Sequence, residues 1–177
     1  YYDRQRRKTG EEPRPPQYIR ERGQTMGKSI LATGPAVLIT HSNSDKYGWA
    51  TAMARPVLVK GIVAYETGHY VFPEVEDFED IPRGELQTEA MDPQRVPVAE
   101  YKKLTGMPIM VVFGDNIATE PSNVFNSEVW RSSSLRGRQF VEAVNRHGGD
   151  ASIVFLPDLG MKGNTHIPFA DLNNVQV

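Results

Sequence analysis

"PAVLITHSNSDKYGW", residues 35–49, passes from an unbroken apolar run into a histidine, two serines and an aspartate. A buried strand that ends in small polar residues and continues as a helix is the repeating unit of a parallel α/β sheet. Its turn is so tight that the side chain at the corner is displayed rather than hidden. Ser44 and Asp45 are good N-cap residue types, and a helix over 44–54 is predicted to stop before Pro56. The corner residue is Ser42, bracketed two positions either side by Thr40 and Ser44, small enough for a strained elbow. The N–H of the next residue, Asn43, then points toward an oxyanion formed at Ser42. Ser44 is the competing nucleophile, but its elbow would put Lys46 where a small residue is needed.

The pattern repeats outward from this unit. "KGIVAYE" (60–66), "MPIMVVFG" (107–114) and "ASIVFLP" (151–157) are short, continuous apolar runs rich in Val and Ile, as expected of strands covered on both faces. Residues 133–147 form a second helix candidate, with Phe140, Ala143, Val144 and His147 on one face and Gly148-Gly149 behind it. Residues 25–33 read as the end of a helix stopped by Gly34-Pro35. Residues 1–24 are charged and proline-bearing and read as a solvated arm. Two regions follow, an arm with a helix end at 1–33 and a folded domain at 34–177. Within the latter, residues 69–106 form an insertion with an acidic cluster, Glu74, Glu76, Asp77, Glu79 and Asp80, and a lid is the functional reading of such a length.

Ligands gather at the carboxyl ends of parallel strands. The first strand is followed by His41-Ser42-Asn43, the second by Glu66, the third by Asp115, and the fourth by a glycine-bearing loop with His166. A serine, two candidate acids and a histidine thus meet one sheet edge in the order Ser, acid, His. In this arrangement His166 takes the proton of Ser42, and Glu66 or Asp115 orients the imidazole. His41 is expected to point away from Ser42, as a packing or hydrogen-bonding residue. Trp130 is a candidate wall of the substrate pocket, to which His41 also lies close. His69 and His147 read as loop and helix-end residues.

Composition narrows the classes further. The 177 residues carry a formal charge of -2, which gives no reason to expect nucleic acid or an anionic membrane as partner. With no cysteine there is no disulfide, thiolate metal site or cysteine nucleophile. "GMKGN" lacks the ending of a phosphate loop, and no metal or organic cofactor is expected. No apolar run is long enough to span a bilayer. Neither end of the sequence reads as a natural start or stop, so it is expected to be an internal piece of a longer polypeptide, and its compartment is left open.

These motifs resemble those of a group of bacterial serine esterases with the α/β-hydrolase fold. Those proteins carry H-S-Q-S-G, "VEPG", "VVFGD", "LGxxGNSH" and "DxNN" in order; here stand "THSNSD" (40–45), "AYETG" (64–68), "VVFGDNI" (111–117), "LGMKGNTH" (159–166) and "ADLNN" (170–174). The resemblance covers about residues 34–177 and implies a mostly parallel sheet flanked by helices, of which this chain supplies the last four strands, the fifth to eighth. It implies a Ser42, Glu66, His166 triad, with Asp115 anchoring the loop near the histidine. The implied activity is cleavage of carboxylic esters or lactones; a peptidase or amidase with the same triad, or a hydrolase-fold scaffold without turnover, are the alternatives.

The departures are Thr67 in place of proline, the acidic insertion, and Asp45 in place of glycine. Asp45 is expected to add a negative charge near the acyl pocket and to disfavour anionic substrates. The N-terminal half of the fold, with its oxyanion donor, is expected from the same or another chain. "PAVLIT" would be an open edge through which copies could pair into a homo-oligomer.

Overall fold

The computed structural model describes residues 16–75, 79–82 and 93–177, with side chains from residue 21 onward. The element that decides the fold is a four-stranded sheet in the order β1-β2-β5-β6, every neighbouring pair parallel. Its strands are β1 (Ala36–His41), β2 (Val59–Tyr65), β5 (Pro108–Phe113) and β6 (Asp150–Phe155). The register pairs His41 with Tyr65, Tyr65 with Val112, and Phe113 with Phe155. Residues 42, 66 and 114 therefore leave the sheet at one common edge.

Among the described residues, four α-helices accompany it: α1 (Pro16–Thr33), α2 (Asp45–Ala54), α3 (Val98–Tyr101) and α4 (Phe125–Arg146). Part of the expected solvated arm is helix. α1 begins at Pro16, and proline is favoured at a first helical position because its missing N–H has no partner to lose there. It packs on α2 where Gly23 faces Ala50; a Cβ on Gly23 would lie 2.5 Å from that of Ala50. Thr51 Oγ1 also donates to the Gly23 carbonyl at 3.1 Å. The helix ends at Gly34, whose φ of 92° is costly for any residue with a Cβ. The remaining arm, residues 1–15, lies outside the described residues.

α4 is longer than its apolar face suggests, beginning at Phe125 rather than at 133. Its first turns are polar yet buried. Arg131 and Glu128 pair at 2.6 Å with almost no exposure, and Arg131 also donates to the Pro82 carbonyl. An ion pair satisfied in this way hides in the core a segment that hydropathy alone leaves outside. Further along, Phe140 is fully buried among Trp49 at 5.0 Å, Tyr70 at 5.4 Å and Phe72 at 6.1 Å.

Where described, part of the 69–106 insertion packs into the core. It holds two short parallel strands, β3 (Val71–Pro73) and β4 (Gln94–Val96), then α3 and a turn of 3-10 helix at Lys102–Gly106. Tyr70, Phe72, Tyr101 and Leu104 all enter the core. Glu76, Asp77 and residues 83–92 fall outside the described residues.

One expectation fails in a useful way. Strands covered on both faces were predicted, but β1 alternates: Val37 is 57% and Ile39 69% exposed, and Met110 on β5 is 42% exposed on the same side. Leu38, Ile62, Ile109 and Val111, on the opposite side, join the hydrophobic core or pack against it. Continuous apolar sequence thus marks two faces built for burial, of which the described residues fully cover one.

Candidate active site

At the end of β1 the backbone turns sharply into α2 through a 3-10 turn, Ser42–Ser44. Ser42 has φ 55°, a left-handed conformation rare outside glycine, as a strained elbow requires. The turn is braced by Ser44, whose Oγ donates to the His41 carbonyl at 2.8 Å and accepts from the His41 N–H at 2.9 Å. Its hydroxyl is thereby committed to the turn. Gly48 allows α2 to sit close behind; a Cβ there would lie 2.7 Å from the Thr40 methyl.

The Ser42 hydroxyl lies 2.9 Å from His166 Nε2. On the other side of the ring, Nδ1 lies 3.4 Å from Glu66 Oε2. A carboxylate facing Nδ1 favours the tautomer with the proton there, leaving Nε2 to accept from Ser42. Glu66 is buried, and its φ of 46° makes it a second left-handed, non-glycine residue at the sheet edge. Its other oxygen accepts from the Gly114 N–H. Only glycine fits at 114, where a Cβ would come 2.9 Å from Glu66 Oε1 and 3.0 Å from the Thr165 carbonyl.

The loop bearing His166 is fixed along its length. Asp115 accepts from the N–H of Gly163 at 2.8 Å and from that of Asn116 at 2.7 Å, bonds that hold its carboxyl below the usual carboxylate range. Its carboxylate braces this loop, whereas the carboxylate at the imidazole is that of Glu66. Asn164 and Asn173 exchange side-chain hydrogen bonds at 2.8 and 3.0 Å. Asp171 accepts from both the N–H and the hydroxyl of Thr165, at 2.7 and 2.9 Å.

His41 and Trp130, both expected near the pocket, touch the imidazole itself. The His41 ring lies 4.8 Å from that of His166 and meets the His166 carbonyl through Nε2 at 2.6 Å. Trp130 stacks on the His166 ring with centroids 4.0 Å apart.

Two contacts were not legible in sequence. The Asn43 side-chain oxygen accepts from Lys46 Nζ at 2.6 Å and meets His69 Nε2 at 3.1 Å. Burial, with a smaller push from Lys46, lowers His69 to about 4, so it is neutral near pH 7 and donates through Nε2. His69 is therefore more than a loop residue, although a lone histidine three positions past Glu66 carries no pattern that would reveal it.

Asp45 overturns its expectation. It is fully buried, with no surface open to a substrate. Burial pushes its carboxyl up to about 7. Among the described residues no cluster of His, Asp and Glu could hold a metal ion, and no helix is long and apolar enough to cross a membrane.

No protein-family model matches the chain. It is similar to a probable secreted lipase, phiG, of Fungal sp. (strain ATCC 74256), 27% identical over 91% of this chain and 49% of the relative. Among solved structures it resembles a novel bacterial esterase determined at atomic resolution, with a TM-score of 0.62 and 28% identity. That match covers 87% of this chain and 38% of the esterase. The fold is the α/β-hydrolase fold of esterases and lipases. The chain spans about half the length of the lipase it matches.

Proposed function

We propose that this protein hydrolyses carboxylic esters, lactones included, through an acyl-enzyme formed on Ser42. The supporting observation is the relay of Ser42 Oγ, His166 Nε2 and Nδ1, and Glu66 Oε2, drawn from three separate strand ends. In this mechanism His166 Nε2 accepts the hydroxyl proton as Ser42 Oγ attacks the ester carbonyl. Buried Glu66 holds the ring and offsets the charge of the imidazolium. The Asn43 N–H donates to the oxyanion, its peptide steadied by the grip of Lys46 and His69 on the side chain. His166 then gives its proton to the departing alkoxide. Water, deprotonated by the same imidazole, attacks the acyl carbonyl and releases the carboxylic acid and Ser42.

Trp130, against one face of the imidazole, limits the approach of the leaving group. The resemblance to a lipase and an esterase favours esters over amides. The apolar open side of β1 supports further covering of the sheet, from the same polypeptide or another.

The test is labelling of the intact protein with a fluorophosphonate, read by intact mass. One adduct mapped to Ser42, absent from Ser42→Ala, and turnover of a short-chain p-nitrophenyl ester lost in that variant, are expected. A folded protein that neither labels nor turns over refutes the proposal in favour of a non-catalytic hydrolase fold.

A further inference from the structure

Residue 166 is held by its main chain as well as by its ring. His41 Nε2 lies 2.6 Å from the His166 carbonyl oxygen, while Ser42 Oγ lies 2.9 Å from Nε2 at the far end of the same residue. The two holding residues are consecutive in the chain, the last position of β1 and the first of the 3-10 turn. A carbonyl oxygen only accepts, so His41 must carry a proton on Nε2, whatever the state of its other ring nitrogen. The bonds of Asp115 and Asp171 reach the same loop at Gly163 and Thr165. That of His41 falls on residue 166 itself.

The His41 ring is in turn placed by packing. Its backbone is extended, at φ -146° and ψ 133°, and its partner in the strand register is Tyr65. Phe169, from the 3-10 turn at Pro168–Ala170, meets both rings edge-on, with centroids 5.7 Å from His41 and 4.8 Å from Tyr65. We infer that His41 is a positioning residue for ester cleavage, whose Nε2–H holds the carbonyl of residue 166 and so keeps the His166 imidazole in line with Ser42. It acts through His166 rather than on the reacting atoms. The inference rests on the esterase reading above, since it concerns the alignment of that relay. The Ser42–His166 contact cannot do this throughout the cycle. It is lost when Ser42 Oγ becomes the ester oxygen of the acyl-enzyme and its proton leaves with the alcohol. The His41 bond exchanges no proton, so it persists through both halves of the reaction and holds the imidazole ready for water.

The experiment compares wild type, His41→Phe and His41→Gln as intact proteins, with folding read by urea denaturation and kcat and KM measured on a short-chain p-nitrophenyl ester. Phenylalanine keeps a ring to pack against Phe169 and removes the donor; glutamine brings an amide N–H close to where Nε2 stood. His41→Phe is expected to lose about tenfold or more in kcat with KM within about twofold, and His41→Gln to recover about a third of wild-type kcat or more. A folded His41→Phe with wild-type kcat overturns the inference, as does a folded His41→Gln no faster than His41→Phe. A loss carried by KM instead of kcat also overturns it. Nitrogen-15 NMR of the histidine rings in wild type gives a reading that depends on neither variant folding: His41 Nε2 is expected to be protonated at pH 8, and an unprotonated Nε2 overturns the inference. Wild type that is labelled by fluorophosphonate, with His41→Phe equally fast, refutes the His41 inference alone; wild type that neither labels nor turns over refutes the esterase reading first.

Discussion

Replacing Asp45 by asparagine should make the protein more stable, and increasingly so as pH rises. The carboxyl sits at about 7 in the folded chain against 3.8 in a solvated one, because burial opposes its charge. Between those values the native state holds a proton that the unfolded state has released. Stability must therefore fall with rising pH across that window, at up to about 1.4 kcal/mol per pH unit. The loss is complete above about pH 7 and amounts to about 4 kcal/mol, as an upper bound. It is absent below about pH 4, where both states are protonated. Asparagine has the shape of the neutral acid and no proton to release. Urea denaturation of the two proteins at matched pH removes the contribution of every other titrating group. The variant is expected to be close to wild type at pH 4.5 and about 2–4 kcal/mol more stable at pH 8, with an unchanged denaturant slope. A difference that stays within 1 kcal/mol from pH 4.5 to 8 would show that Asp45 does not carry a proton in the folded state.

Two further outcomes test other parts of the fold. Glu128→Ala strands the buried Arg131 guanidinium, paired at 2.6 Å in the native chain, and should cost about 3–5 kcal/mol in urea denaturation. The two Asp171 oxygens accept separately from the N–H and the hydroxyl of Thr165, next to His166; Asp171→Ala removes both acceptors, kcat for a p-nitrophenyl ester should fall about tenfold with KM within twofold, and an unchanged kcat would remove these bonds from the positioning of His166.

What the sequence made legible follows from how each signal arises. The four strands of the sheet are readable because a buried parallel strand must be apolar along its whole length, as "MPIMVVFG" is. The elbow is readable because its geometry admits few residue types around Ser42. β3 and β4 escape notice because three residues give too little pattern, least of all beside the prolines and acidic residues of the insertion. The first turns of α4 are hidden because Glu128 and Arg131 are buried as a pair, and hydropathy scores each residue alone. Asp45 misleads for a related reason. At a helix start an aspartate ordinarily caps in water, and nothing in "SNSDKYG" reveals that Thr67 and Tyr70, far along the chain, close over it. The clamp on Asn43 depends likewise on His69 arriving from another strand end.

Ser42 and Glu66, the proposed nucleophile and its distant acid, both occupy left-handed backbone, at φ 55° and 46°. That conformation is especially hard on side chains branched at Cβ. Threonine carries the same hydroxyl as serine, yet at position 42 its extra methyl would work against the corner itself. The shape of the main chain thus restricts which alcohol can serve as nucleophile here before reactivity enters, and laboratory evolution seeking a different one would first have to rebuild the bend.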